Sequence, residues 1–332
     1  MTQEPVPLGG APLGVEAYAD FVAKEYLGDF VRAGGGAVRV VVVGSDEVAR
    51  RWHARLADAA RAEGYLLATV DAADTRVHMI DQLWFAVARH VEWRAVAVRA
   101  VAREYDVLGL PAADDEVTVA EVAARHGVDA RELARSVRRR LEIAVLQDGS
   151  LTREFRLALL RLCQGELGTG EVSPAERAAV TGWLTGERVA LRDLRSASLY
   201  ARVGRHNARG LLVSLAGWLN RDGGPGLVLD LDLARLSVAR RPPVEERVGV
   251  YYSKAAVLDA YEVLRQLIDA TDVLRGAFVA VALPPELVTE EGRGLPAYGA
   301  LHLRVVDEVR DRRRTNPYAA LIRLETRLEA VR

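Results

Sequence analysis

An α/β fold, with a parallel sheet flanked by helices and interrupted by a large all-helical insertion, is predicted by three observations. The first is a continuous β-branched run at residues 38–43 in which Arg39 is the one polar residue. Runs without polar alternation suit strands of a parallel sheet covered on both faces. The second is the succession of that run, an amphipathic helix at 46–62 stopped by Gly64, and a strand at 65–70. Together they form a βαβ unit with a right-handed crossover. The third is the return of strand-like runs, LVLDLD after residue 226 and AFVAVAL at 277–283, beyond a long stretch that reads as helical throughout. The strands at 38 and 227 are expected to be neighbours in one sheet.

Taken in order, residues 1–14 are rich in Pro and Gly and read as a flexible arm. Residues 15–74 form the N-terminal part of the core, opening with a docking helix over 15–33 that Gly34, Gly35 and Gly36 end. Residues 75–222 are the helical insertion. Its helices are read at 75–104, at 117–142 as helix, glycine turn and helix, and at 151–168, 174–185 and 196–220. Residues 223–332 return to the core. Gly223, Gly224, Pro225 and Gly226 lead into the strand, a helix follows at 254–274, then the 277–283 strand, a helix over 297–310 and a short segment at 320–325. No period of 20 to 50 residues repeats, which excludes a solenoid.

The 332 residues are 50% hydrophobic and 27% charged, with net charge −1, an ordinary soluble composition. Near-zero net charge gives no bulk drive toward nucleic acid or membrane. The single cysteine, Cys163, excludes a disulfide framework or a cysteine metal site within the chain; it reads as a small core residue in a reducing cytoplasm. No basic and apolar leader opens the sequence, and no apolar run approaches the ~20 residues of a membrane span, so a cytoplasmic protein without a membrane partner is expected. The six histidines make no pair at i, i+4, so no metal site is expected from local spacing.

The turn between the first strand and its helix is where a nucleotide-binding domain keeps its phosphate loop. The pattern G-x-x-x-x-G-K-[ST] falls on Gly44, Ser45, Asp46, Glu47, Val48, Ala49, Arg50 and Arg51, of which only Gly44 conforms. The window has the length of such a loop without its chemistry. The plain alternative is a strand-to-helix connection in which Ser45 or Asp46 is the N-cap. Asp46 and Glu47 favour a helix N-terminus and repel phosphate.

Several segments together resemble the ATP-binding proteins of bacteriophage-exclusion (BREX) systems, a branch of the AAA+ P-loop ATPases. They are LQDGSLTREFRLALLRLCQGELG, ARVGRHNARGLLVSLAGWLNRDGGPGLVLDLDLA, YEVLRQLIDATDVLRGAFVAVALPPEL, GRGLPAYGALHLRV and NPYAALIRLE, which span most of 146–325 in the family's order. The resemblance implies a P-loop NTPase-like sheet. It also implies a catalytic set from which this sequence departs. Arg50 takes the position of the lysine that meets the β and γ phosphates, and Arg51 that of the hydroxyl that holds magnesium; an arginine is bulkier and forked and offers the metal no oxygen. Ala49 stands where a second glycine belongs, and its Cβ hinders a left-handed backbone. Asp232 matches the metal-side aspartate of Walker B, but Leu233 replaces the glutamate that orients water. Asp230 lies on the same strand face as Asp232 and could help to bind a cation. Leu283, Pro284, Pro285 and Glu286 lack the hydroxyl of the family's sensor. A helical lid, which the family places after its fifth strand, is expected to be absent.

These departures imply a catalytically inactive AAA+-like pseudo-ATPase: a structural or regulatory subunit of a prokaryotic anti-phage defence complex that binds an active ATPase, helicase or nuclease and needs no ATP or magnesium. An arginine such as Arg293 is a candidate for acting on a neighbour's site. Two alternatives stand beside this reading. One is a weak ATPase using Arg50 and Asp232. The other is a DNA-binding adaptor, in which 117–142 acts as a helix-turn-helix and Arg135, Arg138, Arg139 and Arg140 meet phosphates; there the bland alternative is a helical hairpin with a solvated arginine face.

Overall fold

The computed structural model describes residues 11–113, 116–241, 243–246, 248–306 and 315–326. The chain divides into two compact units, residues 1–87 with 216–332, and residues 88–215.

The first unit is built on a six-stranded, all-parallel sheet. Its strands are β1 (Leu13–Gly14), β2 (Gly36–Val43), β3 (Leu66–Asp71), β4 (Leu227–Asp232), β5 (Ala277–Leu283) and β6 (Leu321–Glu325), in the order β1-β6-β2-β5-β4-β3. The predicted α/β class holds. The predicted adjacency of the strands at 38 and 227 does not: β5 lies between β2 and β4 and pairs with both. Chain order does not set spatial order in a parallel sheet. The strand with every residue buried, β5, takes the middle, where both faces and both edges are covered. At the rim, β3 is only alternately buried. Residues 1–10 of the expected arm lie outside the described residues, but Leu13 and Gly14 pair with Leu324 and Glu325 as an edge strand.

One face of the sheet is covered by α1 (Val15–Phe21), which runs on into a π-helical turn at Val22–Phe30, and by α2 (Asp46–Ala62). Val48, Trp52, Leu56 and Ala60 recur every four residues on α2 and are all buried. Trp52 is fully enclosed and stacks on Tyr18 at 5.4 Å between centroids. Truncating such a core tryptophan costs about 3–5 kcal/mol, so packing of this stripe, more than helix propensity, sets α2 in place. Val228, Phe278, Ala280 and Ala282 face the same layer.

Among its described residues the regular elements of the second unit are helices, joined by loops that include an isolated β-bridge between Ala113 and Glu116. The expected single helix at 75–104 breaks into α3 (Ile80–Ala88), which belongs to the first unit up to Val87, and α4 (Trp93–Val107). Then come α5 (Val119–His126), α6 (Ala130–Leu141), α7 (Arg153–Glu166) and α8 (Pro174–Thr185). The helix expected over 196–220 is helical only as α9 (Ala208–Leu219), which crosses the boundary back to the first unit. In that unit, α10 (Lys254–Asp269) ends earlier than expected, α11 (Pro285–Thr289) follows β5, and α12 (Gly299–Val306) lies where the helix over 297–310 was expected, whose remaining residues are outside the described ones. Cys163 is buried in α7, where burial raises its thiol pKa.

Candidate functional site

The site to be tested lies where β2 passes into α2. Val43 is the last strand residue and Asp46 the first of the helix, so Gly44 and Ser45 are the whole connection. The window that has the length of a phosphate loop is helical from its third residue on, as in the plain strand-to-helix alternative. Ser45 is the N-cap: its Oγ accepts the Val48 N–H at 3.3 Å and its carbonyl accepts the Ala49 N–H at 2.9 Å. Two amides that could have cradled phosphate are therefore engaged. A Cβ on Gly44 would meet nothing within 4 Å, so neither a close backbone approach nor a special torsion calls for glycine there. Ala49 sits inside the helix, not in a left-handed turn. Arg50 is exposed on α2. Arg51 is held by Glu16 at 3.0 Å and Glu47 at 3.8 Å.

One turn further along α2 stands a residue that the local spacing of histidines could not single out. His53 Nδ1 lies 2.7 Å from Asp230 Oδ2, and its Nε2 lies 3.4 Å from Asp232 Oδ2. Strand alternation turns both carboxylates toward α2, as it does Val228. The Asp230 side chain is only 1% exposed, and its Oδ1 is buried with no hydrogen-bond partner. Asp232 Oδ1 accepts the Ala234 N–H at 2.8 Å. Burial alone would lower the His53 pKa, but hydrogen bonds to the two aspartates and their charges outweigh it and raise it to about 10. Burial raises the Asp230 carboxyl against the pull of His53, whereas at Asp232 the bonds from His53 and Ala234 overcome burial and lower it. At neutral pH the ring is thus the cation of the cluster. Leu233, in the position of the water-orienting glutamate, is fully buried.

Residues arranged in this way do not fit Mg·ATP held in the manner of an intact P-loop. The backbone loop is closed to two residues, and a protonated imidazole has no lone pair for a metal. No trio of His, Cys, Asp or Glu among the described residues has the arrangement of a metal site.

In the second unit α5, a turn at Gly127 and α6 follow one another within 117–142. Thr118 and Glu121 form a capping box on α5, Gly127 ends it in the left-handed conformation, and Asp129 caps α6. Leu133, Val137 and Leu141 of α6 are buried. Of the four arginines, Arg138 pairs with Glu171 at 2.6 Å and Arg140 with the nearly buried Glu104 at 2.8 Å. Arg135 and Arg139 are exposed, Arg135 within 4.0 Å of Glu132. Arg293 is buried, its guanidinium donating to the carbonyls of Leu236 and Tyr252, both at 2.6 Å. It is a structural clamp within its own unit, which corrects its expected reach to a neighbour.

No helix of the described residues is long and apolar enough to cross a membrane. No curated protein matches the chain, and no solved structure does. A family model described as BREX system ATP-binding protein BrxC/D matches residues 56–330. That stretch takes in β3, β4, β5 and β6 and begins inside α2, beyond Gly44–Arg51 and His53. With most of its length matched and a six-stranded parallel sheet of the P-loop NTPase-like kind, the chain belongs to the BrxC/D family of BREX system ATP-binding proteins.

Proposed function

We propose that this member of an anti-phage defence family is catalytically silent and serves its complex as a structural or regulatory subunit, through contacts with an active ATPase, helicase or nuclease. The observation that supports this most is His53 between Asp230 and Asp232. A protein-borne cation stands against the two carboxylates that an ATPase would give to magnesium, while Leu233 supplies no base. The closed Gly44–Ser45 turn argues the same way, since a nucleotide would have to unwind the first turn of α2 to reach its amides. Titration calorimetry with ATP, with and without magnesium, tests the reading. Heat and melting temperature are expected to show no magnesium-dependent component. Phosphate release that disappears in Asp232→Ala overturns it in favour of a weak ATPase. Affinity purification from the native host is expected to recover other components of the defence system equally with the wild-type and the Asp232→Ala chains.

A second reading, a DNA-binding adaptor, is favoured by the α5–α6 geometry and by the exposed Arg135 and Arg139. It is weakened by the internal ion pairs of Arg138 and Arg140.

A further inference from the structure

A second feature of the carboxyl edge lies past β3 and β4, away from the β2–α2 turn. The turn after β3 is held by Tyr252, whose hydroxyl accepts the Val77 N–H at 3.2 Å and lies within hydrogen-bond reach of the Ala72 and Thr75 carbonyls. The short 3₁₀ turn after β4 carries Arg235, whose guanidinium donates to the carbonyls of Val248 and Val250. Val250 in turn donates its N–H to the Ala73 carbonyl at 2.6 Å. Gly249 has φ +70°, and a Cβ there would come within 2.5 Å of the Ala73 oxygen, so this close approach requires glycine. The strapped segment walls a cavity of ≈260 Å³ lined by Arg76, Arg235, Arg241, Val248, Gly249, Val250 and Tyr251.

The lining is unusual in its charge. Three arginines converge on one small cavity, and no carboxylate lines it among the described residues. The sequence holds 46 acidic residues for 45 basic ones, and elsewhere many arginines meet an acid: Arg51, Arg94, Arg138, Arg140, Arg161 and Arg177 all do. Among the described residues Arg76 and Arg241 make no ion pair, and Arg241 lies over the Tyr251 ring at 5.9 Å. Like charges gathered without a counter-ion repel one another; an anion in the cavity would relieve this. Planar, forked guanidinium groups match the tetrahedral oxygens of phosphate. The cavity is below the ~300–1,000 Å³ of a drug-sized site, large enough for one or two phosphoryl groups but not for a folded cofactor. It also lies outside the carboxyl ends of parallel strands, the side on which open α/β sheets bind ligands.

We infer that Arg76, Arg235 and Arg241 form a binding site for the phosphoryl end of a small phosphorylated molecule, independent of magnesium and separate from the β2–α2 site. The probes are inorganic phosphate and pyrophosphate, titrated into the full chain at low ionic strength without divalent metal. Binding is expected, tighter for pyrophosphate and weakening as salt is raised. Arg76→Ala and Arg241→Ala are each expected to weaken it about tenfold, and Arg76→Glu to abolish it. Arg61→Ala, at the last turn of α2 and away from the carboxyl ends of the strands, should leave it unchanged. Arg76 and Arg241 are exposed, so unliganded melting temperatures of the variants should match the wild type, with Arg76→Gln as the conservative check. Absence of binding at about 10 mM pyrophosphate, or binding that survives both alanine variants, overturns the proposal. So does equal competition by an oligonucleotide without a terminal phosphate. Magnesium-dependent ATP binding lost in Asp232→Ala but not in Arg76→Ala would defeat the functional reading above and leave this site standing.

Discussion

Two groups of charged side chains lie at the carboxyl edge of one sheet and are built on opposite terms. Behind α2, one imidazole and two aspartates close on each other, with Asp230 sealed from water. Past β3 and β4, three arginines face a cavity with no acid in its lining among the described residues. The first group answers its own charge within the fold. The second leaves its charge unanswered and is suited to something that arrives from outside. The same division runs along α6, where Arg138 and Arg140 are paired internally while Arg139 is exposed without an ion pair. Arginine content alone does not separate these cases; the partner of each guanidinium does.

The largest effect that can break this comparison comes from removing the internal cation. His53→Ala leaves Asp230 buried beside Asp232 without a positive partner and is expected to destabilise the chain by about 3 kcal/mol, read from urea unfolding. Asp230→Asn in the same chain should recover part of that loss. If His53→Ala is neutral, the cluster does not hold the fold.

A smaller effect is its titration. The His53 pKa is raised in the folded chain to about 10 from the ordinary imidazole value. The stability it contributes is therefore complete below the unfolded value of about 6.5 and is lost as pH rises through about 10. Melting temperatures between these limits should fall for the wild type relative to His53→Gln. Parallel curves would show that the ring is neutral.

The smallest effects come from α6. Arg140→Ala strands the nearly buried Glu104 and should cost about 2 kcal/mol, whereas Arg135→Ala and Arg139→Ala should each stay within about 0.5 kcal/mol. Mobility-shift assays over a salt series would sharpen the same contrast. If the adaptor reading holds, duplex DNA is retarded at low salt and the shift weakens in Arg135→Ala and Arg139→Ala.

Local physics was legible in the residues. The β-branched run gave β2, the four-residue stripe gave α2 with its boundaries, and the Ser45 cap was one of the two alternatives open at that turn. Long-range placement was not. The position of β5 between β2 and β4 follows from crossovers and burial, to which chain order is blind. The role of His53 was missed because histidines were compared with near neighbours, while its partners stand 177 and 179 positions away. A signal did exist: His53 flanks the buried Trp52 on the helix that follows β2, and Asp230 and Asp232 share one strand face. The arginine cavity had no such signal, since Arg76 lies far in sequence from Arg235 and Arg241.

Under the proposed catalytically silent reading, the start of α2 at Asp46 also bears on what ATP hydrolysis would require of this chain. Restoring Lys at position 50 and Thr at position 51 would set the right groups on a helix whose opening amides already belong to Ser45. Two point changes cannot supply a missing stretch of main chain, so the road back runs through an insertion. On that reading, main-chain geometry sets a higher barrier to a phosphate loop here than the identities of the side chains do.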